Sequence, residues 1–270
     1  MTVLVELVRL ARRPRTWVSV GLLCALPALV AVFLAVTRLG PDPGEDPAFL
    51  AAVLANGALF PAAALAIVLP VFLPVAVAVV GGDTIAGEAS GGTLRYLLLR
   101  PVGRTRLLMA KLVSLAAFVL VAVISVAVTS FVVGVSLFPS EPAAVTSVSG
   151  VTLTSTELST RMLAAVLYVA VSMLGVGAIA MFLSTMTDSS LGAALGALAA
   201  FVASQVLVTL DASGGVRPYL PTRYWLAWID FFRDPILWRD IERGLAVQAV
   251  YVAVFLGLAW ANFTTKDVTS

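Results

Sequence analysis

The sequence contains no histidine, and Cys24 is the one cysteine among its 270 residues. These absences exclude histidine-based acid–base catalysis, histidine-ligated metal sites, an intrachain disulfide and zinc sites built from several cysteines. Its two lysines, Lys111 and Lys266, stand outside any G-x-x-x-x-G-K-[ST] pattern, so the chain has no phosphate-binding loop of its own. The formal net charge of +2 is too small a surplus to predict nucleic-acid binding.

Charged residues are also scarce, and hydrophobic residues take their place. Asp, Glu, Lys and Arg make up 12% of the chain and hydrophobic residues 60%, whereas an average soluble domain has about 25% charged residues. With a mean hydropathy of +1.04, a soluble globule would expose large apolar patches. The composition therefore predicts an all-α integral membrane protein, because helices satisfy every backbone hydrogen bond within the bilayer.

Six apolar stretches, each built around a run without charged residues, are long enough to cross a hydrocarbon core of about 30 Å as helices. We predict a single transmembrane domain over residues 1–270, with an in-plane helix at 1–15, spans at 16–37, 57–80, 109–137, 162–186, 189–210 and 244–263, a cytosolic loop at 81–108 and an outer segment at 211–243. Pro70 and Pro74 predict a kink in the second span. Residues 47–57 precede that span, either as a short outer helix or as its extension.

The arginines set the predicted orientation, because cytoplasmic loops of membrane proteins carry an excess of Lys and Arg. Arg9, Arg12, Arg13 and Arg15 precede the first span, against Arg38 alone between the first two spans. We therefore predict both termini on the cytoplasmic side. The N-terminal stretch is amphipathic, which predicts a helix lying on the inner leaflet among membrane lipids. A plain topology signal explains the same arginines.

The longest hydrophilic insertion on the predicted inner side, residues 81–111, reads GGDTIAGEASGGTLRYLLLRPVGRTRLLMAK. Gly92 ends what precedes it, Thr93 can cap the short apolar run that follows, and Pro101 ends that run. The pattern predicts a short helix with three leucines on one side, Leu94, Leu97 and Leu98. An exposed leucine face at the cytosolic surface is typical of a protein–protein interface, so we predict that a partner binds it.

This loop resembles the inner loop of bacterial ABC exporter permeases of the type V class, the small six-helix subunits of drug, lipid and peptide exporters. The shared pattern is a Gly-Glu pair, then Gly-Thr-Leu, a short apolar run, a proline, a small residue with an arginine, and a lysine that opens the third helix. In this sequence these are Gly87-Glu88, Gly92-Thr93-Leu94, Leu97 to Leu99, Pro101, Gly103-Arg104 and Lys111. The in-plane helix, the six spans and the chain length match too, so the resemblance covers the whole chain.

The resemblance implies a function and partners. The chain would be the permease subunit of an ATP-driven exporter in the bacterial plasma membrane, not itself an enzyme, and would work by alternating access. Two copies of an ATP-binding subunit would hold ATP and Mg, and a second permease, identical or similar, would complete the path. The residues implied in coupling to the ATP-binding subunit are Glu88, Gly92, Thr93, Leu94, Arg95, Leu97, Leu98, Pro101 and Arg104. For Glu88, an ion pair such as one with Arg95 or Arg104 explains the carboxylate equally well.

The outer segment 211–243 is rich in rings that favour the membrane interface, Trp225 and Trp228 among them. Between Pro221 and Pro235 the pattern predicts an amphipathic helix. Two interpretations stay open: an aromatic belt that anchors the chain at the outer surface or, by the resemblance, a short re-entrant or in-plane helix near an external gate.

Polar residues within the predicted spans are few. Asn56, Ser172, Gln205 and Gln248 are the candidates for a substrate path, although a single amide or hydroxyl in a membrane helix commonly bonds a neighbouring helix. Because we predict spans without a formal charge, a proton relay or voltage sensor has little support. The apolar character favours a lipophilic substrate such as a drug, lipid or peptide.

A function of another class fits the same loop: a non-transporting membrane scaffold or regulator that recruits a cytosolic partner through residues 81–111. Such a partner would lack nucleotide-binding motifs, which distinguishes it from an ATPase subunit. The sequence has no histidine, and we expect no buried carboxylates. Both points disfavour an intramembrane enzyme. A secondary carrier is disfavoured because the sequence shows neither an inverted repeat nor paired broken helices.

Overall fold

The structure is a computed structural model that describes residues 2–37, 56–91, 103–138, 145–146, 152–210 and 214–265. The α-helices within these residues are α1 Thr2–Arg12, α2 Pro14–Thr37, α3 Phe60–Val68, α4 Phe72–Asp83, α5 Ala86–Ser90, α6 Arg104–Leu137, α7 Ser155–Met186, α8 Ser190–Thr209 and α9 Trp238–Thr265. The remaining regular elements are the 3₁₀-helices Gly57–Leu59, Arg217–Tyr219 and Trp225–Phe232, and a two-residue antiparallel pair of β1 Val145–Thr146 with β2 Thr152–Leu153.

Long apolar helices dominate the described residues, so the prediction of a helical membrane protein is confirmed in this general form. Helices α2, α6, α7, α8 and α9 are each long and apolar enough to cross a membrane, and α3 with α4 forms a sixth if this bent pair is one span. Helix α7 lies at the centre, since 72% of its most apolar stretch is buried, against 17% for α9. Helices α4, α6, α8 and α9 pack around α7, and α2 packs on α6.

The predicted second span is broken at the prolines that predict a kink. The helical segments Gly57–Val68 and Phe72–Asp83 are bent by 60° relative to each other. The break falls at Pro70. Proline has no backbone N–H to donate within a helix, and its ring clashes with the preceding turn. At the other end of this span, Gly57 lies so close to Gly134 of α6 that a Cβ on either glycine would collide with the backbone of the other.

Small residues let α4 approach α7 and α8 closely. A Cβ added to Gly81 would lie 2.9 Å from the Cβ of Ala180, and one added to Gly82 would lie 2.8 Å from the backbone nitrogen of Ala194. Small residues at such contacts allow helices to pack at backbone distance in a membrane. The contact holds the C-terminal end of α4 against α7 and α8.

Several helices begin before the predicted spans. Helices α6, α7 and α9 start at Arg104, Ser155 and Trp238, whereas the predicted spans start at positions 109, 162 and 244. For α7 the reason is a cap on its first turn, which allows a helix to extend beyond its apolar part. At α7, Thr154 accepts from the backbone N–H of Glu157, and the Glu157 carboxylate accepts from the backbone N–H of Thr154. Missing charge therefore marks the apolar part of a span and not its helix ends.

The outer aromatic segment differs from the amphipathic helix that we predict. Residues Trp225–Phe232 form a 3₁₀-helix, whose three-residue repeat places Trp225, Trp228 and Phe231 on the same side. All three are buried, Trp228 completely, and the 3₁₀-helix packs on α7 and α9. The aromatic-belt interpretation is therefore wrong for Trp225 and Trp228, whereas Trp238, at 53% exposed, fits it.

Candidate functional site

Charged side chains meet where α1, α5 and α6 come together. Glu88, in α5, is 2% exposed. Its Oε1 accepts from Nη1 of Arg9 at 2.6 Å, and its Oε2 lies 2.8 Å from Nζ of Lys111. Glu88 is therefore ion-paired with residues of α1 and α6, partners that the sequence did not indicate. We define the charge cluster as Glu6, Arg9, Arg13, Asp83, Glu88 and Lys111.

Lys111 has several acceptors, although its side chain is only 3% exposed. Its ammonium donates to the backbone oxygen of Thr84 at 2.7 Å, pairs with Glu88 and lies 3.9 Å from Oε2 of Glu6. An ammonium has three N–H donors, and a buried charge is tolerated when it is paired and hydrogen-bonded. The expectation of no buried carboxylates is thus wrong for Glu88, which is buried together with Lys111 where α5 meets α6.

A second ion pair fastens the chain after α1 to the end of α4. Nη1 of Arg13 lies 2.6 Å from Oδ2 of Asp83, and Nη1 of Arg15 lies 4.0 Å from Oδ1 of the same carboxylate. Arg9 and Arg13 are one helical turn apart in the chain, while Asp83 and Glu88 flank the turn between α4 and α5. The N-terminal helix is therefore attached on both sides of that turn.

The charge cluster is balanced, with three carboxylates and three basic groups joined by contacts of 2.6 to 3.9 Å. Removing an ion from water costs several kcal/mol, which close pairing offsets, and the loss of one member leaves its partner buried and poorly paired. Such a network favours one arrangement of the helices that carry it. A space of about 30 Å³ beside it, lined in part by Glu6, Thr84 and Lys111, has room for about one water.

Ser184 of α7 holds the turn between α4 and α5 from the other side. Its Oγ accepts from the backbone N–H groups of Ile85 and Ala86 at 3.1 and 2.8 Å and donates to the backbone oxygen of Gly82 at 2.6 Å. The first N–H groups of a helix have no partner within that helix, so a buried hydroxyl satisfies two of them here. The sequence offers no signal for this role, because Ser184 is one of many hydroxyl residues in the spans.

Most of the predicted coupling residues lie outside the described residues, namely Gly92, Thr93, Leu94, Arg95, Leu97, Leu98 and Pro101. Of that set the structure describes Glu88 and Arg104. Nη1 of Arg104 donates to the backbone oxygens of Phe263 and Thr264 at 3.3 and 2.9 Å, and the last carbonyls of a helix need such a partner. The two described coupling residues therefore both bind other helices, Glu88 within the charge cluster and Arg104 at the end of α9.

Two of the polar residues predicted for a substrate path are used in local structure. The side chain of Asn56 accepts from the backbone N–H of Ala58 at 3.0 Å and caps the first 3₁₀-helix. The hydroxyl of Ser172 donates to the backbone oxygen of Tyr168 in its own helix at 2.9 Å. Both hydrogen bonds are typical of helix ends and helix interiors, so neither residue needs a substrate to explain its polarity.

The two glutamines differ in burial. Gln248 is 2% exposed, its Nε2 donates to the backbone oxygen of Pro221 at 2.7 Å, and its Oε1 lies against Gly175. Gln205 is half-buried on α8. The structure therefore shows Gln248 binding a neighbouring segment, as single amides in membrane helices commonly do. The four candidates are spread over separate elements.

The outer aromatic segment is held by hydroxyl groups that the sequence analysis did not single out. The Tyr168 hydroxyl donates to the backbone oxygen of Tyr224 at 2.7 Å. The hydroxyls of Ser204 and Thr222 share a buried hydrogen bond of 2.8 Å. Together with Gln248, these contacts join the segment to α7, α8 and α9, so it is a packed part of the bundle at this end.

These features define a multi-pass helical membrane protein whose N-terminal helix is fastened to α5 and to the end of α4. The chain belongs to a family described as a protein of unknown function (DUF2705), whose family model matches residues 48–269. No curated protein matches the chain. The matched region includes Asp83, Glu88 and Lys111 of the charge cluster, and α1 precedes it.

Proposed function

We propose that this chain is the membrane-spanning permease subunit of an ATP-driven ABC exporter, located in the bacterial plasma membrane with both termini in the cytoplasm. It works with a second permease, identical or similar, and with two ATP-binding subunits that carry ATP and Mg. Sequence support comes from the loop pattern between Gly87 and Lys111. The structural observation that carries the proposal is that the described residues on either side of segment 92–102, Glu88 and Arg104, each bind other helices of the bundle.

The residues that flank segment 92–102 give it a mechanical role in this proposal. On one side, Glu88 binds α1 and α6 through the charge cluster. On the other side, Arg104 begins α6 and binds the C-terminal end of α9. Packed helices shift as units rather than deform continuously. A cytosolic ATPase that moves segment 92–102 would therefore act directly on α6 and α9.

Close contact between the second and fifth spans also supports the proposal. The resemblance assigns the opening of the path to these two spans. In the structure they are α4 and α8, which meet at Gly82 and Ala194. The break at Pro70 divides the second span, so α4 can tilt with α8 while α3 stays packed on α6.

An apolar groove supports a lipophilic substrate. It has a volume of about 560 Å³, runs along α9 and is lined by Tyr219, Val250, Tyr251, Val254 and Phe255 among others. Ligand sites of several hundred Å³ with mainly apolar and aromatic walls suit molecules of drug size. This observation supports the substrate class and not a particular compound.

Co-purification tests the proposed partner. The chain is extracted gently from native membranes and the chains that accompany it are identified. We expect a soluble chain with a phosphate-binding loop in stoichiometric amount. Changing Leu97 and Leu98 to Asp should remove that chain and abolish ATP-driven export while the permease still inserts. Leu99→Asp is the matched control, because Leu99 lies off the leucine side of the predicted short helix.

Two outcomes would contradict the proposal. One is normal binding of the ATP-binding chain and normal export in the Leu97→Asp, Leu98→Asp variant. The other is a stoichiometric partner without nucleotide-binding motifs, which would support the membrane scaffold instead.

A further inference from the structure

A cavity of about 370 Å³ opens between the beginnings of α2 and α8 and the end of α4. Its polar wall includes Arg13, Arg15 and Asp83, and its apolar wall includes Val79 and Leu191. At about 30 Å³ per water in the liquid, the volume corresponds to about a dozen waters. Such a space beside valine and leucine side chains is better filled by a molecule that is charged at one end and apolar at the other.

Arg15 supplies the positive charge of this cavity. Arg13 holds Asp83 at 2.6 Å, and the charge cluster is balanced without Arg15. Nη1 of Arg15 lies 4.0 Å from Asp83, and its side chain is 83% exposed. Arg15 is thus a surplus cation at the mouth of the cavity, with most of its five N–H donors turned to the surroundings. A negatively charged group complements it.

The apolar wall is exposed, as a lipid-facing surface of a membrane protein would be. Val79 is 42% exposed and Leu191 is 66% exposed, while Trp17 and Val18, on α2 beside the cavity, are 56% and 59% exposed. A tryptophan at this level is typical of the boundary between headgroups and acyl chains. An arginine and a tryptophan beside an exposed apolar wall fit a position at this boundary.

We propose that this cavity binds one anionic phospholipid of the inner leaflet, with its phosphate on Arg15 and an acyl chain along Val79 and Leu191. Helices α2 and α8 make little direct contact with each other, so the lipid fills the space between the first and fifth spans. The proposed site shares no lining residue with the set proposed for coupling to the ATP-binding subunit. It concerns one bound molecule, in contrast to the general attraction of the N-terminal arginines to the leaflet.

Lipid retention by the purified chain tests this proposal. The protein is reconstituted into vesicles of dioleoyl phosphatidylglycerol and dioleoyl phosphatidylcholine, extracted in a mild detergent, and its bound lipids are counted by mass spectrometry. We expect one phosphatidylglycerol per chain in preference to phosphatidylcholine. Arg15→Gln should reduce its retention about fivefold, the effect of one arginine near a lipid phosphate. Arg12→Gln is the matched control, because Arg12 is also exposed but does not line the cavity.

A second pair of variants tests the cavity itself. Ser19 lines it and Val18 does not, so Ser19→Phe should fill the space and displace the lipid, whereas Val18→Phe should not. Equal losses in Arg15→Gln and Arg12→Gln, or retention that Ser19→Phe leaves unchanged, would overturn the proposal. Release of the lipid by added inorganic phosphate would overturn it too, since the site would then recognise a free phosphate rather than a phospholipid.

Discussion

Lys111 and Glu88 form an ion pair in which Nζ and Oε2 are 2.8 Å apart and each side chain is 3% exposed. The two residues come from different elements, the third span and the short helix α5. Arg9 binds the other oxygen of Glu88 at 2.6 Å, so one carboxylate joins three helices. The short helix α5 cannot move away from the third span unless this contact breaks or moves with it.

Removing the lysine should destabilise the protein strongly. Lys111→Met leaves Glu88 and Glu6 buried with Arg9 as their remaining base, and loss of one partner of a buried pair costs about 3–5 kcal/mol. Because Arg9 still pairs with Glu88, we expect the free energy of unfolding to fall by an amount near the lower end of this range, about 3 kcal/mol. Thermal unfolding in detergent measures it. Arg106→Met is the control, since Arg106 is exposed in the same helix; equal melting temperatures of the two variants would contradict the role of Lys111.

Arg9→Gln should release α1 from the bundle. A hydrogen bond to a charged group contributes about 1.5–3 kcal/mol, so local opening of α1 should become at least about tenfold more frequent. Amide hydrogen exchange over residues 2–12 is the measurement. Arg12→Gln, at an exposed position of the same helix, should leave exchange unchanged. Faster exchange in both variants would mean that helix α1 is held by surface charge in general and not by Glu88.

Local constraints explain what could be predicted from the sequence. Proline lacks an N–H wherever it stands, so Pro70 predicts a break without knowledge of the fold. The scarcity of charge identifies membrane helices because a bilayer imposes one requirement on every span. The amphipathic pattern of the N-terminal stretch likewise predicts a helix, and the structure places α1 there.

Pairings between distant residues could not be predicted. Arg9 and Glu88 are 79 positions apart, and Ile85 and Ser184 are 99 apart, so only the packing of the helices brings them together. The prediction for the outer segment was wrong for a different reason. Its aromatic residues fit a membrane belt by composition, yet the 3₁₀ repeat turns Trp225 and Trp228 to the same buried side. Composition does not distinguish a ring in lipid from a ring in a protein core.

Ser184→Ala should weaken the start of α5. The substitution leaves the buried N–H groups of Ile85 and Ala86 without their acceptor, which costs about 1–3 kcal/mol. We expect faster amide hydrogen exchange at residues 85 and 86 and a lower melting temperature. Ser159→Ala is the matched control, because the Ser159 hydroxyl is exposed and bonds only its own helix. Unchanged exchange at residues 85 and 86 would show that Ser184 does not hold this turn.

Gly82→Ala should separate α4 from α8. A Cβ at position 82 would lie 2.8 Å from the backbone nitrogen of Ala194 and 3.0 Å from the backbone oxygen of Ser190, and backbone atoms cannot turn aside as a flexible side chain can. Forcing extra atoms into a packed contact costs about 1–3 kcal/mol, so we expect a lower melting temperature. Gly257→Ala is the control, because nothing lies within 4 Å of its added Cβ, and alanine there favours the helix by up to about 1 kcal/mol.

If the two spans move together during transport, Gly82→Ala should also reduce export by more than its loss of folded protein, measured as export per folded permease in vesicles. A variant with normal stability and normal export would show that close contact of the second and fifth spans is not required.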